Sequence, residues 1–156
     1  MSIKKVRPDS NYKGGVYTPL NPSKYVGPTP IIYRSNWEKK YCIYCDNNDN
    51  ILQWSSEPFA IEYYNPLTKK NHKYYPDFWV KILKTDGTTK QLLVEIKPKT
   101  YLKKPIEPKR KTVQAVKNYK YLVESYVKIL AKAKAAKRFA KDRNMEYIIL
   151  TEDSVR

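Results

Sequence analysis

Two acids and a lysine in apolar surroundings carry the clearest chemistry in this chain. Tyr75-Pro76-Asp77-Phe78-Trp79 sets a carboxylate at the head of an apolar run, and Leu92-Leu93-Val94-Glu95-Ile96-Lys97 sets an acid and a base two positions apart. Residues i and i+2 of a strand share a face, so Glu95 and Lys97 project together while Val94 and Ile96 point the other way. An isolated carboxylate is costly to bury, so an acid on such a strand needs a partner or a metal. Two carboxylates and a lysine on one sheet face suit phosphodiester hydrolysis. Oxygen ligands favour hard ions, magnesium or manganese, which keep several waters. Such an ion polarises a phosphate and lowers the pKa of a bound water, and Lys97 is placed to orient that water or to steady charge in the transition state. The competing reading is an ordinary salt bridge between neighbouring strands, Glu95 with Lys97 or Lys81. The Pro-Asp pair upstream and the basic character of the whole chain weigh against it.

Whether the two acids meet depends on the turn between their strands. Lys84-Thr85-Asp86-Gly87-Thr88 is a hairpin signal. A two-residue Asp86-Gly87 loop pairs Asp77 with Ile96 and sends Asp77 to the wrong face. A three-residue loop, Thr85-Asp86-Gly87 with Gly87 left-handed, pairs Lys84 with Thr88 and so Asp77 with Glu95. Both turns are physically reasonable. Only the second, or another odd-length loop, assembles an acid cluster.

The remaining elements follow from periodicity and punctuation. Residues 1–32 hold five prolines and three glycines without periodicity, and read as an extended Pro/Tyr/Lys-rich arm ahead of a domain over 33–156. The arm's tyrosines, Tyr12, Tyr17 and Tyr25, suggest packing on its own domain or on a partner. A helix starts near Ser35, with Glu38 placed to close a capping box. Trp37, Tyr41, Tyr44 and Cys45 follow at helical spacing, and Asn47 to Asn50 ends it. Phe59, Ile61 and Tyr63 read as one strand face within 51–64, the polar Lys69–His72 stretch as a turn, Tyr74–Leu83 as a second strand and Gln91–Lys97 as a third. His72 is expected to be exposed. A Lys/Ala-rich helix runs from about Lys111 to Arg143, with a bend expected near Tyr119–Ser125 and a core-facing stripe of Val113, Val116, Tyr119, Ile129, Ala133, Ala136 and Ala140. Met145–Leu150 is the last strand. The fold class is α/β, a mixed central sheet flanked by helices.

Composition bounds the partners. Lysine and arginine number 31 against 15 acids, a formal charge of +16. That excess calls for a polyanion, either nucleic acid or an acidic protein surface. No apolar run approaches transmembrane length, the start lacks the apolar core of a signal peptide, and no membrane partner is expected. Cys42 and Cys45 have no second cysteine pair, and the one histidine, His72, is distant. Structural zinc wants four ligands, so the two read as small buried residues on a helix. From Lys97 to Arg143 the chain carries sixteen basic residues and three acids. This reads as a phosphate track on double-stranded DNA involving Lys99, Lys103, Lys104, Lys109, Arg110, Lys111 and Lys132, with little sequence specificity and steep salt dependence. Arg34, beside a helix start that favours anions, is placed to hold a phosphate. Glu57 and Glu62 also lie near the sheet; Glu57 is the better candidate for a site edge, and a plain strand or loop position is the simpler reading.

Pro76-Asp77 followed by Glu95-Ile96-Lys97 resembles the PD-(D/E)xK nuclease superfamily. More narrowly, Tyr33-Arg34-Ser35-Asn36-Trp37-Glu38, then Tyr74 to Val80, then Val94 to Lys99, is similar to the head-completion nucleases of large contractile-tailed phages. Those in turn resemble the endonuclease subunit of certain cut-and-paste transposons. The likeness runs from about Tyr33 to Glu152. It implies a restriction-endonuclease-like sheet flanked by helices, and it implies that Glu38 joins Asp77 and Glu95 around the metal, a role in competition with helix capping. It further implies action in head completion and head–tail joining after DNA packaging, head, portal or neck proteins as partners, and the host cytoplasm or the virion neck as the setting. In the family the last helix often carries a tryptophan after a lysine, whereas here Lys132 is followed by Ala133. A structural neck or connector protein that binds DNA and protein without catalysis is the alternative.

Overall fold

The computed structural model describes residues 14–155. In chain order the elements are β1 (Gly15–Tyr17), β2 (Ile31–Tyr33), α1 (Asn36–Asn47), β3 (Ile51–Ser56), β4 (Ile61–Asn65), β5 (Lys70–Tyr74), β6 (Phe78–Leu83), β7 (Thr89–Ile96), α2 (Val113–Asp142) and β8 (Glu146–Leu150), with short 3-10 turns at Pro22–Lys24 and Lys99–Leu102. The central sheet has the order β3-β6-β7-β8. Its first two junctions are antiparallel and β7–β8 is parallel, bridged by α2 as a crossover. β1–β2 and β4–β5 are separate two-stranded ladders.

The sheet divides the chain's apolar residues between two cores. Phe78, Val80, Leu92, Val94 and Ile96 point to one side, where Tyr41, Cys42 and Cys45 of α1 meet them around the fully buried Trp54. Both cysteines are thus buried thiols on a helix. Leu93 points to the other side, against Ala136 and Ala140 of α2 and Ile61 of β4. Alanines at these positions let the helix approach the sheet closely. Burial of each large side chain in these clusters is worth about 1.5–3 kcal/mol. Glu95 and Lys97 share Leu93's face, so the helix that completes this second core also overhangs the candidate site.

Four sequence expectations are corrected. The 51–64 stretch is not one strand: Glu57 adopts a left-handed φ of 47° and Pro58 has no N–H to donate, so the chain turns out of the central sheet and Phe59 falls in the link before β4. Lys69 alone is left-handed at the hairpin tip. Lys70–His72 belong to β5 opposite Tyr63–Asn65, and His72 is half-buried with a ring nitrogen 2.7 Å from Thr68 Oγ1. Tyr74 and Phe78 lie on different ladders, separated at Tyr75-Pro76-Asp77, because Pro76 interrupts donation to a neighbour. Finally, α2 runs unbroken for 30 residues from its Thr112 cap. Its amino-terminal half is not core: Val113 is 76% and Val116 47% exposed. Valine at helical spacing carries a core-facing signal whether or not a neighbour exists to cover it.

Residues 14–32 lie against the body, and the polar anchor is Asp46. The buried Asp46 carboxylate accepts from the Tyr17 hydroxyl (2.6 Å), Leu20 N (2.7 Å) and Asn21 N (3.0 Å). Burial opposes its charge, but these hydrogen bonds outweigh that and hold its pKa below the usual carboxylate value. Gly27 completes the contact, because a side chain there would collide with Ser55. Asp46→Ala is expected to destabilise the protein by roughly 2–4 kcal/mol in urea unfolding, since three donors lose their acceptor. The sign with pH follows from the lowered pKa. This stabilisation is full above the ordinary carboxylate range and is lost as pH falls through the folded-state value, so the gap between wild type and variant should close in acid.

Candidate active site

The hairpin that carries the acids turns through Thr85-Asp86-Gly87. Lys84 N donates to Thr88 O (2.8 Å), Gly87 has φ 85°, and Asp86 Oδ1 accepts from Thr88 N. The ladder runs Leu83↔Thr89 to Phe78↔Val94, so the next position along it sets Asp77 opposite Glu95, as the three-residue loop requires. Asp77 stands just past the ladder's end and is held at two points. Its carbonyl accepts from Glu57 N (2.9 Å), and its Oδ2 accepts from Ile96 N (2.8 Å).

Glu95 is 5% exposed, and its Oε1 has no hydrogen-bond partner among the described residues. Its pKa is pushed well above the carboxylate range, first by burial and then by the charge of Asp77, with Lys97 and Lys132 acting in the opposite sense. A protein leaves a buried carboxylate oxygen unpartnered at a cost of about 1–3 kcal/mol or more. A cation between Glu95 and Asp77 would remove both the repulsion and the unpaired oxygen. Two carboxylates with the remaining positions taken by water match how magnesium is usually bound, so the donor set fits the implied ion.

Glu38 caps its helix and also lies beside Asp77. Its N–H donates to Ser35 Oγ (3.1 Å) while its Oε2 accepts from Arg34 N (3.0 Å), so it caps α1. Its pKa is also raised, by burial first and by Asp77 second. It therefore adjoins Asp77 from the α1 side of the sheet. It does not close a cage with Asp77 and Glu95: among the described residues no three His, Cys, Asp or Glu side chains converge to hold one ion. The physical reason is topological. α1 packs on the face opposite Glu95, and Asp77, at the strand's end, is the acid that both sides reach.

Two cavities flank Asp77. One, of about 310 Å³, is lined by Lys73, Tyr74, Asp77, Glu95, Lys97 and Tyr147 among others. The second, of about 450 Å³, reaches from Asp77 and Lys97 past Glu38, Arg34 and Tyr101. Ile129 and Lys132 of α2 border both. A larger apolar groove of about 880 Å³ lies between β4 and α2 and touches none of these acids.

Residues 48–152 match the TnsA-like endonuclease N-terminal family. Over 143 residues, 91% of this chain and 93% of the other, the sequence is 36% identical to the head completion nuclease of Enterobacteria phage T4. The chain belongs to the head-completion nuclease family. Its mixed sheet between helices is accordingly the restriction-endonuclease-like fold, and the family segment spans Asp77, Glu95, Lys97 and Lys132, while Glu38 and Arg34 precede it.

The basic residues separate into three groups. Lys103, Lys104, Lys109 and Arg110 are exposed beyond β7, as a DNA track requires. Lys99 is tied to Asp153 and, through its N–H, to Glu152, and Lys111 pairs with Glu107 (2.8 Å). Arg34 is half-buried at the site edge, 3.3 Å from Glu57, with one terminal nitrogen buried and without a partner among the described residues. Lys132 faces the acids and lies among aromatic rings, 5.5 Å from the Tyr74 centroid and 5.6 Å from that of Tyr63. Sequence reasoning placed it on the track. It also passed over Tyr74 and Tyr147, whose hydroxyl pKa values are raised by burial first and Glu95 second. Tyr74 could have been found from its place three residues before Asp77. Nothing local marks Tyr147, which reaches the site only because β8 lies parallel beside β7.

Proposed function

We propose that this protein is a metal-dependent DNA nuclease of low sequence specificity that acts in phage head completion and head–tail joining after packaging. The observation that carries the reading is the pairing of half-buried Asp77 with buried Glu95, whose Oε1 has no partner among the described residues, beside Lys97. Asp77 and Glu95 would hold magnesium or manganese, with Glu38 adjoining Asp77 from α1. When bound, the ion supplies Lewis-acid polarisation of the phosphate and acidifies a water. The Ile96 N–H fixes the Asp77 carboxylate, and Tyr74 and Tyr147 line the same cavity as Glu95. Lys97 stands on the same strand face to orient the attacking water and to steady charge on the phosphate. Exposed Lys103, Lys104, Lys109 and Arg110 would neutralise flanking phosphates. DNA, together with head, portal or neck proteins, are the partners in this reading. Its setting is the host cytoplasm during assembly and the virion neck afterwards.

The test is cleavage of linear and circular duplex DNA with magnesium, with manganese and with chelator. Metal-dependent cutting supports the reading, and cutting of the circle shows endonuclease action. A well-folded protein that cuts neither under any metal overturns it in favour of a connector without catalysis. For the track, replacing Lys103, Lys104, Lys109 and Arg110 by alanine should flatten the plot of log affinity against log salt by about 3–4, at roughly 0.9 for each phosphate no longer neutralised. An unchanged slope would remove these residues from the DNA path.

A further inference from the structure

We propose that Lys132 is a second cation of the catalytic centre, binding the phosphate under attack from the α2 side while Lys97 faces it from β7. This rests on the nuclease reading above but assigns Lys132 a place that neither the DNA track nor the acid–acid–lysine motif provides.

Lys132 follows the site in sequence by more than thirty residues and arrives on a different element, yet α2 delivers it between the two cavities that meet at Asp77. On the same helix face Ser125, Lys128 and Ile129 line the second cavity, so a polar stripe and not the apolar alanine stripe looks down on the acids. Lys132 is half-buried, and among the described residues it makes no salt bridge and no side-chain hydrogen bond. Its ammonium rests near the faces of Tyr63 and Tyr74, and the Tyr74 hydroxyl donates to its backbone carbonyl (3.3 Å). Ring faces hold a cation in place without neutralising it. This half-buried ammonium faces Lys97 and Lys128 as well as Glu95 and Asp77, so the acids offset its charge only while no metal ion claims them. With the ion bound, its burial becomes favourable when an anion enters. Once Asp77 and Glu95 are committed to a metal ion, the charges left lining the smaller cavity are all cationic: Lys73, Lys97 and Lys132. Lys73 is exposed on its hairpin, which leaves Lys97 and Lys132 as the pair that can close on one phosphate from opposite walls. Such an interaction strengthens as charge builds on the non-bridging oxygens, so it should act mainly on turnover.

The experiment compares Lys132→Met, Lys132→Ala and Lys132→Arg with wild type, under single-turnover cleavage of linear duplex DNA in manganese and DNA binding in chelator. Methionine keeps an unbranched stem over the two rings and removes the charge. The expected result is a fall of about 100-fold in the cleavage rate at saturating DNA for Lys132→Met, with DNA affinity within about twofold and the thermal midpoint kept or raised. Lys132→Arg should recover part of the rate. Wild-type cleavage by Lys132→Met, with only Lys132→Ala impaired, would show a packing role and overturn the proposal. So would a loss confined to affinity, which would return Lys132 to the track. A second arm needs no turnover: calorimetric binding of thymidine 3′,5′-bisphosphate with magnesium should weaken about tenfold or more in Lys132→Met. Unchanged binding overturns the proposal. Wild-type protein that binds this probe through Lys132 yet cuts no DNA overturns the nuclease reading alone.

Discussion

Asp77→Asn is expected to lower the cleavage rate by about 1,000-fold or more while leaving the fold and DNA binding in place. Asparagine keeps a carbonyl oxygen where Asp77 Oδ2 accepts from Ile96 N, so the closure between β6 and β7 survives. What is lost is the negative charge that the chain places between Glu38 and Glu95. Removing one charged ligand of a two-carboxylate site removes both ion affinity and the polarisation it supplies. Raising manganese should recover little activity, because Glu95 alone is left to hold the ion. Asp77→Ala serves as a comparison and should cost about 1 kcal/mol more in stability for the missing hydrogen bond. Circular dichroism and DNA binding in chelator check the fold, and a rate within tenfold of wild type would remove Asp77 from the chemistry.

Glu95→Gln should abolish cleavage to a similar degree and, in metal-free protein, raise stability. The two effects share one cause. Burial and the neighbouring Asp77 charge keep the Glu95 pKa raised, so ionising it costs folding energy. A raised folded-state pKa gives stabilisation that is complete below the ordinary carboxylate range and is lost as pH rises through the folded value. Metal-free wild type should therefore lose stability with rising pH in that window, at no more than about 1.4 kcal/mol per pH unit for this group. The glutamine variant should lack that slope and be more stable by roughly 2 kcal/mol near neutrality. Magnesium should reverse the order by stabilising wild type and not the variant. Urea unfolding across pH, with magnesium and with chelator, measures this. Wild type and variant with parallel curves would show that ionising Glu95 costs no folding energy and overturn the expectation.

The site was legible where chemistry and local geometry coincide. Gly87 tolerates a left-handed turn, the turn sets the register, and the register sets Asp77 against Glu95, all within twenty residues of sequence. The same parity argument sends Val94 and Ile96 into the α1 core. Glu38 was harder, because a capping glutamate and a site glutamate look alike in sequence, and here the side chain that caps α1 also adjoins Asp77. Lys132 and Tyr147 were not legible, since their positions depend on how a 30-residue helix lies across the sheet and on which edge β8 joins. Strand breaks at Glu57-Pro58 and Pro76-Asp77 were missed for a different reason. Tyrosine and isoleucine on both sides keep a strand-like pattern running across points where the backbone leaves the sheet.

In mechanical terms α2 is a beam clamped at one end. Ala136 and Ala140 fix its carboxyl half against the second core, and Val113 and Val116 stand clear at the other. At 1.5 Å of rise per residue, a tilt of about 10° about Ala136 moves the Val113 end by about 6 Å but the Lys132 backbone by only about 1 Å. Large excursions at the loose end thus reach the acids much reduced, and the long overhang can be pushed or held with little disturbance where the phosphate would sit.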